Sequence, residues 1–229
     1  MPEQIFEPLD DLIARVEPDR YVAALFAPRE KRAALMALYA FDHEVSRIAA
    51  IVREPMVGHI RLGWWREQVG AIYGGGVVLA PVAVALADVV RAYGLPRDVF
   101  DAYLDARGYD FEQAPFEDAA ALERYAVAVS GGIVRLGAFV LGGGGEAAAA
   151  EQAGIAFACA RLSMSRAPDA LAVAERAMDR FGKLPRPARI MPVVSAAATV
   201  RWMLRNGARP IAPWQRGARI ALANLTRRI

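Results

Sequence analysis

Residues 38–50 read LYAFDHEVSRIAA, and this run decides the fold class. It lies inside REKRAALMALYAFDHEVSRIAAIV (29–52), where Leu35, Leu38, Tyr39, Val45, Ile48 and Val52 fall at helical spacing. Apolar residues recurring every three or four positions make one buried stripe of an α-helix. Pro28 stands at the first turn, where its missing N–H is harmless. The spacing therefore predicts a buried helix continuing to Val52.

The same grammar extends in both directions. A short helix over 8–17 is ended by Pro18, and a second helical pattern runs from about Tyr21 to Ala27. Downstream, EPMVGHIRLGWWREQVGAIYGGG predicts a helix stopped by three glycines. Helical patterns follow over 81–93, 97–107, 118–141, 146–163, 169–181, 188–206 and 213–226, punctuated by Gly94, Pro96, Pro115 and the run Gly142–Gly145. No strand-like alternation and no repeat period is visible. The expectation is a single all-α domain over residues 1–229, of about nine helices joined by short turns.

Composition narrows the class. The chain has 229 residues, 55% hydrophobic and 23% charged, which excludes disorder. Its single cysteine, Cys159, excludes an internal disulfide. The acidic start MPEQIFEPLDDLIARVEPDRY is no secretory signal, and no apolar run of about 18 residues asks for a spanning helix. The expected location is cytoplasmic, including the cytoplasmic face of the inner membrane as a peripheral protein. Charge is uneven. Residues 180–229 hold eleven Lys or Arg and no Asp or Glu; with +3 overall, the first 179 residues carry −8. A basic, acid-free C-terminal part calls for an anionic partner.

Several segments carry a resemblance. DRYVAALFAPREKRAALMALYAF (19–41), IRLGWWREQV (60–69), FDAYLDARGYDFEQAPFEDAAALERYAVAVSGGIVRLG (100–137) and LPRPARIMPV (184–193) are similar, in order, to the squalene/phytoene synthase family. The resemblance implies an isoprenoid-synthase helical bundle around an apolar cavity. Asp110 and Tyr125 match the family's D…Y pair. LFAP, AF followed by Glu44, EP and IRLGWWRE look closest to a divergent branch, which includes the mitochondrial complex I assembly factor with a phytoene-synthase-like domain and its alphaproteobacterial relatives.

The family's chemistry ionises allylic diphosphates with magnesium held by aspartates at i, i+4 on two facing helices, since hard oxygen ligands suit that ion. Carried over residue by residue, the first acidic motif falls on Ser46 and Ala50, and the arginine before it on His43. The serine-rich start of the first helix reads Asp19-Arg20-Tyr21. The second motif should follow Gly154, where GIAFACARLSMSRAPDALA has no acid between Glu151 and Asp169. No metal site and no cofactor is expected, magnesium entering only if the enzymatic alternative holds.

Other features have plainer readings. Asp101/Asp105 and Glu175/Asp179 share the i, i+4 spacing but read as solvated faces. His43 and His59 fit no metal signature, and Cys159 reads as core. Ser130 lacks a nucleophile elbow, and the glycine run lacks a phosphate-loop lysine. Trp64 and Trp65 point about 100° apart on a helix, so one faces the core and the other a groove or the surface. Candidate ligand or cavity residues are Tyr39, His43, Arg61, Trp64, Trp65, Asp110 and Tyr125. Arg201, Trp202, Arg205, Trp214, Arg216 and Arg219 form the candidate surface for a membrane or anionic partner. The leading expectation is a non-catalytic family member at the inner-membrane surface, supporting respiratory-complex assembly with a complex subunit as partner. The alternatives are a prenyltransferase condensing isoprenoid diphosphates and a carrier of an isoprenoid or lipid ligand. No nucleic-acid partner is expected, because no nucleic-acid motif accompanies the charge.

Overall fold

The computed structural model describes residues 3–112, 114–162, 167, 169–185, 188–206 and 211–229, with side chains from Leu9 onward. Among the described residues there is no strand. The α-helices are α1 (Glu3–Val16), α2 (Pro18–Ala24), α3 (Arg29–Ser46), α4 (Ile48–Ile51), α5 (Pro55–Gly74), α6 (Pro81–Tyr93) and α7 (Arg97–Arg107). They continue with α8 (Ala119–Ala126), α9 (Gly132–Val140), α10 (Ala147–Leu162), α11 (Ala170–Lys183), α12 (Met191–Val194), α13 (Ala198–Asn206) and α14 (Pro213–Thr226).

Local chemistry explains most boundaries. Pro18, Pro55, Pro81 and Pro213 open α2, α5, α6 and α14, where a fixed φ fits and no N–H is needed. Asp118 caps α8 by accepting the Ala121 N–H at 2.6 Å. Gly75 and Gly94 end α5 and α6 at φ 72° and 58°, a left-handed turn that side chains resist.

Three predicted helices are divided, and each division matters. The expected run to Val52 breaks at Arg47, so Ser46 ends α3 while Ala50 sits, exposed, on α4. The expected helix 118–141 contains a π-helical turn at Val127–Gly131 between α8 and α9. The stretch 188–206 is 3₁₀ turns and short α12 before α13. Of the segments that carried the resemblance, residues 113 and 186–187 lie outside the described residues, as do 163–166 and 168 of the expected second acidic motif.

α3 is the central element. It contacts α1, α2, α6, α7 and α9, and its residues Ala34–Asp42 are all buried. α10 contacts α8, α9, α11 and α13. Phe41 of α3 stands at the middle of an aromatic cluster, 5.4 Å from Trp65, 5.5 Å from Phe100 and 5.2 Å from Tyr103, two of the three edge-on. Such pairs each add about 0.5–1.5 kcal/mol beyond area burial. The π-turn reaches its neighbour through glycine: a Cβ on Gly154 of α10 would lie 2.6 Å from the Ser130 carbonyl oxygen. Backbone therefore meets backbone where α10 passes the turn.

Candidate functional site

The interior site grows from one acid in an otherwise apolar stripe. Asp42 follows eight buried residues on α3, and an isolated buried carboxylate is costly enough to demand partners. It has three. Arg20 of α2 forms an ion pair through Nη1 with Asp42 Oδ2. Arg107 of α7 donates from Nη2 to Asp42 Oδ1 at 2.8 Å. The Tyr103 hydroxyl, one turn earlier on α7, donates to the same oxygen at 2.6 Å.

The network then extends outward. Arg107 Nη1 reaches Asp110 Oδ2 at 3.2 Å and the Tyr125 hydroxyl oxygen at 3.1 Å. Tyr125 donates to Asp110 Oδ1 at 2.5 Å. Ser130 on the π-turn accepts from Arg20 Nη2 at 3.4 Å. The guanidinium of Arg20 also lies over the rings of Tyr39 and Phe157, at 5.3 and 5.7 Å.

Burial alone would raise the Asp42 carboxyl, but Arg20 and then Arg107 outweigh it and hold the group well below the usual carboxylate range. Both arginines stay charged, because Asp42 offsets what their own burial opposes. Burial pushes Tyr39 up to about 12 and raises Tyr103 and Tyr125 as well. All three phenols stay protonated at neutral pH.

Beside this network lies a chamber of about 170 Å³, bordered by Glu17, Arg20, Asp42, Ser46, Arg107 and Arg161, with Tyr125, Ser130 and Phe157 among its other walls. Sites for drug-sized ligands span about 300–1,000 Å³, so this one suits something smaller. Its two acids are both engaged: Asp42 as described, and Glu17 by Arg161 Nη1 at 2.8 and 3.1 Å. Three guanidiniums face two carboxylates in the lining, and Asp110 behind Arg107 matches the third, so both lining acids are already neutralised. Magnesium requires several hard oxygens free to face it. Ser46 offers a hydroxyl bonded to the His43 carbonyl at 3.2 Å, and Ala50 offers nothing. Among the described residues, no group of three or more His, Cys, Asp or Glu gathers elsewhere. The described residues do not fit a magnesium–diphosphate centre.

The predicted candidates separate. Asp110 and Tyr125 join the network, and Tyr39 lies beneath Arg20. Trp65 is only 5% exposed and belongs to the aromatic core, whereas Trp64 is 37% exposed on the outer side of α5. Arg61 is exposed and borders neither the chamber nor the network. His43 is half-buried one position past Asp42, outside the chamber lining. Sequence reasoning missed Arg20, Asp42, Tyr103 and Arg107. The available signal was a charge inside an apolar helical stripe, at Asp42, with nothing to name its partners 22 and 65 residues away.

The C-terminal candidates also divide. Arg216 is not a free surface cation: its Nη2 and Nε bond Asp19 Oδ2 at 2.7 and 3.1 Å, tying α14 to α2. Burial raises the Asp19 carboxyl, and Arg216 only partly offsets that. Arg219 lies over the Trp202 ring at 5.7 Å. Arg201 and Arg205 are exposed on α13, and Trp214 is 73% exposed at the start of α14. Arg209 lies outside the described residues. No helix among the described residues is long and apolar enough to cross a membrane.

Known proteins share this architecture. A dehydrosqualene synthase superposes with a TM-score of 0.78 over 98% of this chain and 97% of that one, at 16% identity. A squalene synthase from Alicyclobacillus acidocaldarius gives 0.65 over 98% and 95%, at 15% identity. The fold is therefore the isoprenoid-synthase helical bundle. In sequence, NADH dehydrogenase (ubiquinone) complex I, assembly factor 6 of Bos taurus is 27% identical over 132 residues, 58% of this chain and 40% of that protein. The human protein is 26% identical over the same length. Presqualene diphosphate synthase of Rhodopseudomonas palustris is 30% identical over 125 residues, 53% of this chain and 43% of that one. The matches span about two fifths of these relatives' own length. The squalene/phytoene synthase pattern matches residues 13–163, which takes in α3, the Asp42 network and all of α10, so the chain belongs to the squalene/phytoene synthase family.

Proposed function

We propose that this chain is a non-catalytic member of its family that serves the assembly of a respiratory complex at the inner-membrane surface. One observation carries the reading: where a catalytic relative needs carboxylates free for metal, the chamber's Asp42 and Glu17 are already neutralised by Arg20, Arg107 and Arg161. Carboxylates already paired with guanidiniums have little charge left to hold the dications that must polarise a departing diphosphate. The similarity to complex I assembly factor 6 supplies the direction of the role, with a subunit of such a complex as partner.

The presqualene diphosphate synthase relative keeps a prenyltransferase in view, and isothermal calorimetry with a non-hydrolysable farnesyl diphosphate analogue separates the two. The expected result is heat unchanged by magnesium and no diphosphate release from farnesyl or geranylgeranyl diphosphate. Magnesium-linked tight binding returns the chain to the synthases. A carrier would take up a long prenyl chain regardless of magnesium, which the chamber's 170 Å³ disfavours. Deleting the gene should lower the amount of assembled respiratory complex, and unchanged complex levels would refute the assembly role.

A further inference from the structure

α13 and α14 enclose a groove of about 620 Å³, lined chiefly by Arg201, Trp202, Arg205, Arg219, Leu222 and Arg228. Arg201, Arg205 and Arg228 are exposed, and among the described residues no carboxylate side chain pairs with them. None of the fifty residues from Arg180 onward is acidic, so α13 and α14 bring no acidic side chain of their own to this face. The fourth arginine, Arg219, is held over Trp202.

An apolar stripe runs beside the cations. Trp214, Ala218, Leu222 and Leu225 recur at i, i+4, i+8 and i+11 on α14, which places them on one side of the helix. That side faces out: Trp214 is 73% exposed, Leu222 61% and Leu225 74%. The opposite side is anchored through buried Ile220 and Ala223 and through Arg216 on Asp19. The helix is thus fixed in the fold with its apolar stripe outward.

We infer that the α13–α14 groove and the outer stripe of α14 dock this protein on a bilayer rich in anionic phospholipids. Headgroup phosphates sit on Arg201, Arg205 and Arg228, and the stripe enters the acyl boundary. Charge complementarity selects the occupant. A polyanion such as nucleic acid satisfies the arginines but leaves Trp214, Leu222 and Leu225 in water, while a lipid surface satisfies both. The exposed apolar stripe Met56, Ile60 and Trp64 on α5 is bordered by both signs of charge, Glu54 and Glu67 among Arg53, Arg61 and Arg66, and so lacks the acid-free cationic rim of α13–α14. This inference rests on the membrane part of the reading above and gives it a surface.

The test is co-sedimentation of the full chain with vesicles of phosphatidylcholine alone, or with roughly a third phosphatidylglycerol. Binding is expected only to the second and should weaken with salt. Each of Arg201→Gln, Arg205→Gln and Arg228→Gln should lower partitioning about five-fold. Leu222→Ser with Leu225→Ser should abolish it, and Ile60→Ser should leave it unchanged. These residues are exposed, so melting points should match the parent's and folding stays out of the comparison. Equal binding to both vesicle types, insensitivity to the arginine changes, or loss through Ile60→Ser overturns the inference. So does competition by millimolar glycerol phosphate, which would assign the arginines to a soluble phosphate. If vesicle binding fails while deletion still impairs complex assembly, the docking surface is wrong and the assembly role stands. If binding holds while assembly is unimpaired, the docking surface stands and the assembly role is wrong.

Discussion

Removing the Asp42 carboxylate is the sharpest perturbation the structure offers. Asp42→Ala strips the counter-charge from Arg20 and Arg107, whose side chains are 6% and 13% exposed. Breaking a buried pair by deleting one partner costs about 3–5 kcal/mol, because the remaining charge is left uncompensated. Arg107 keeps Asp110 at 3.2 Å, while Arg20 keeps the Ser130 hydroxyl at 3.4 Å, its aromatic neighbours and the charge of Glu17, which is already paired with Arg161. About 4 kcal/mol is therefore expected, which for a chain this long lowers the melting point by about 8–16 °C. Urea unfolding followed by circular dichroism measures it, with Asp101→Ala as reference. That residue sits in an exposed pair with Arg97, so its loss should stay below about 1 kcal/mol. The double variant Arg20→Met with Asp42→Leu should recover most of the stability, since apolar replacement of a buried pair is often neutral or favourable. An Asp42→Ala loss under about 1 kcal/mol would refute the reasoning and show the pair to be hydrated rather than structural.

Four other outcomes follow from the same geometry. Asp42 ionises in the fold well below the unfolded value of about 3.9, so its contribution is complete above that value and is lost as pH falls through the folded one. Asp42→Asn should flatten the stability profile below about pH 4 relative to the parent. Ser46→Asp with Ala50→Asp should create no magnesium-linked diphosphate binding by calorimetry, since the break at Arg47 leaves Ala50 exposed on α4; magnesium-dependent heat would contradict this. Gly154→Ala puts a methyl group 2.6 Å from the Ser130 carbonyl, against backbone that cannot swing aside, and should destabilise by about 3 kcal/mol in urea unfolding. Cys159 is fully buried with its thiol pushed up to about 12 by burial, so maleimide labelling should proceed only at the global opening rate.

Much of the fold was legible because it rests on short-range physics. Helical spacing, prolines at first turns and glycines after last turns fixed the elements and the all-α class, and the 100° step separated Trp64 from Trp65, while only the fold put Trp65 inside and Trp64 outside. What failed were the interruptions. The break at Arg47 and the π-turn at Val127–Gly131 sit in sequences that read as continuous helix; at the π-turn the backbone of Gly131 lies against α10 at Gly154, a contact between distant parts of the chain. The resemblance pointed to Asp110 and Tyr125, but the acid at the centre of the site was passed over.

The amino-acid order alone determined the helices, the absence of acids at Ser46 and Ala50, and a C-terminal part with nothing to balance its arginines. It did so because propensity, periodicity and charge are properties of a residue and its near neighbours. Tertiary structure alone decided what the charges do. Asp42 meets Arg20 and Arg107, and Arg216 is spent on Asp19 while Arg201, Arg205 and Arg228 stay open to solvent. Ion pairing acts over a few ångströms in space, and partners 22, 65 and 197 residues apart become neighbours only once the helices pack.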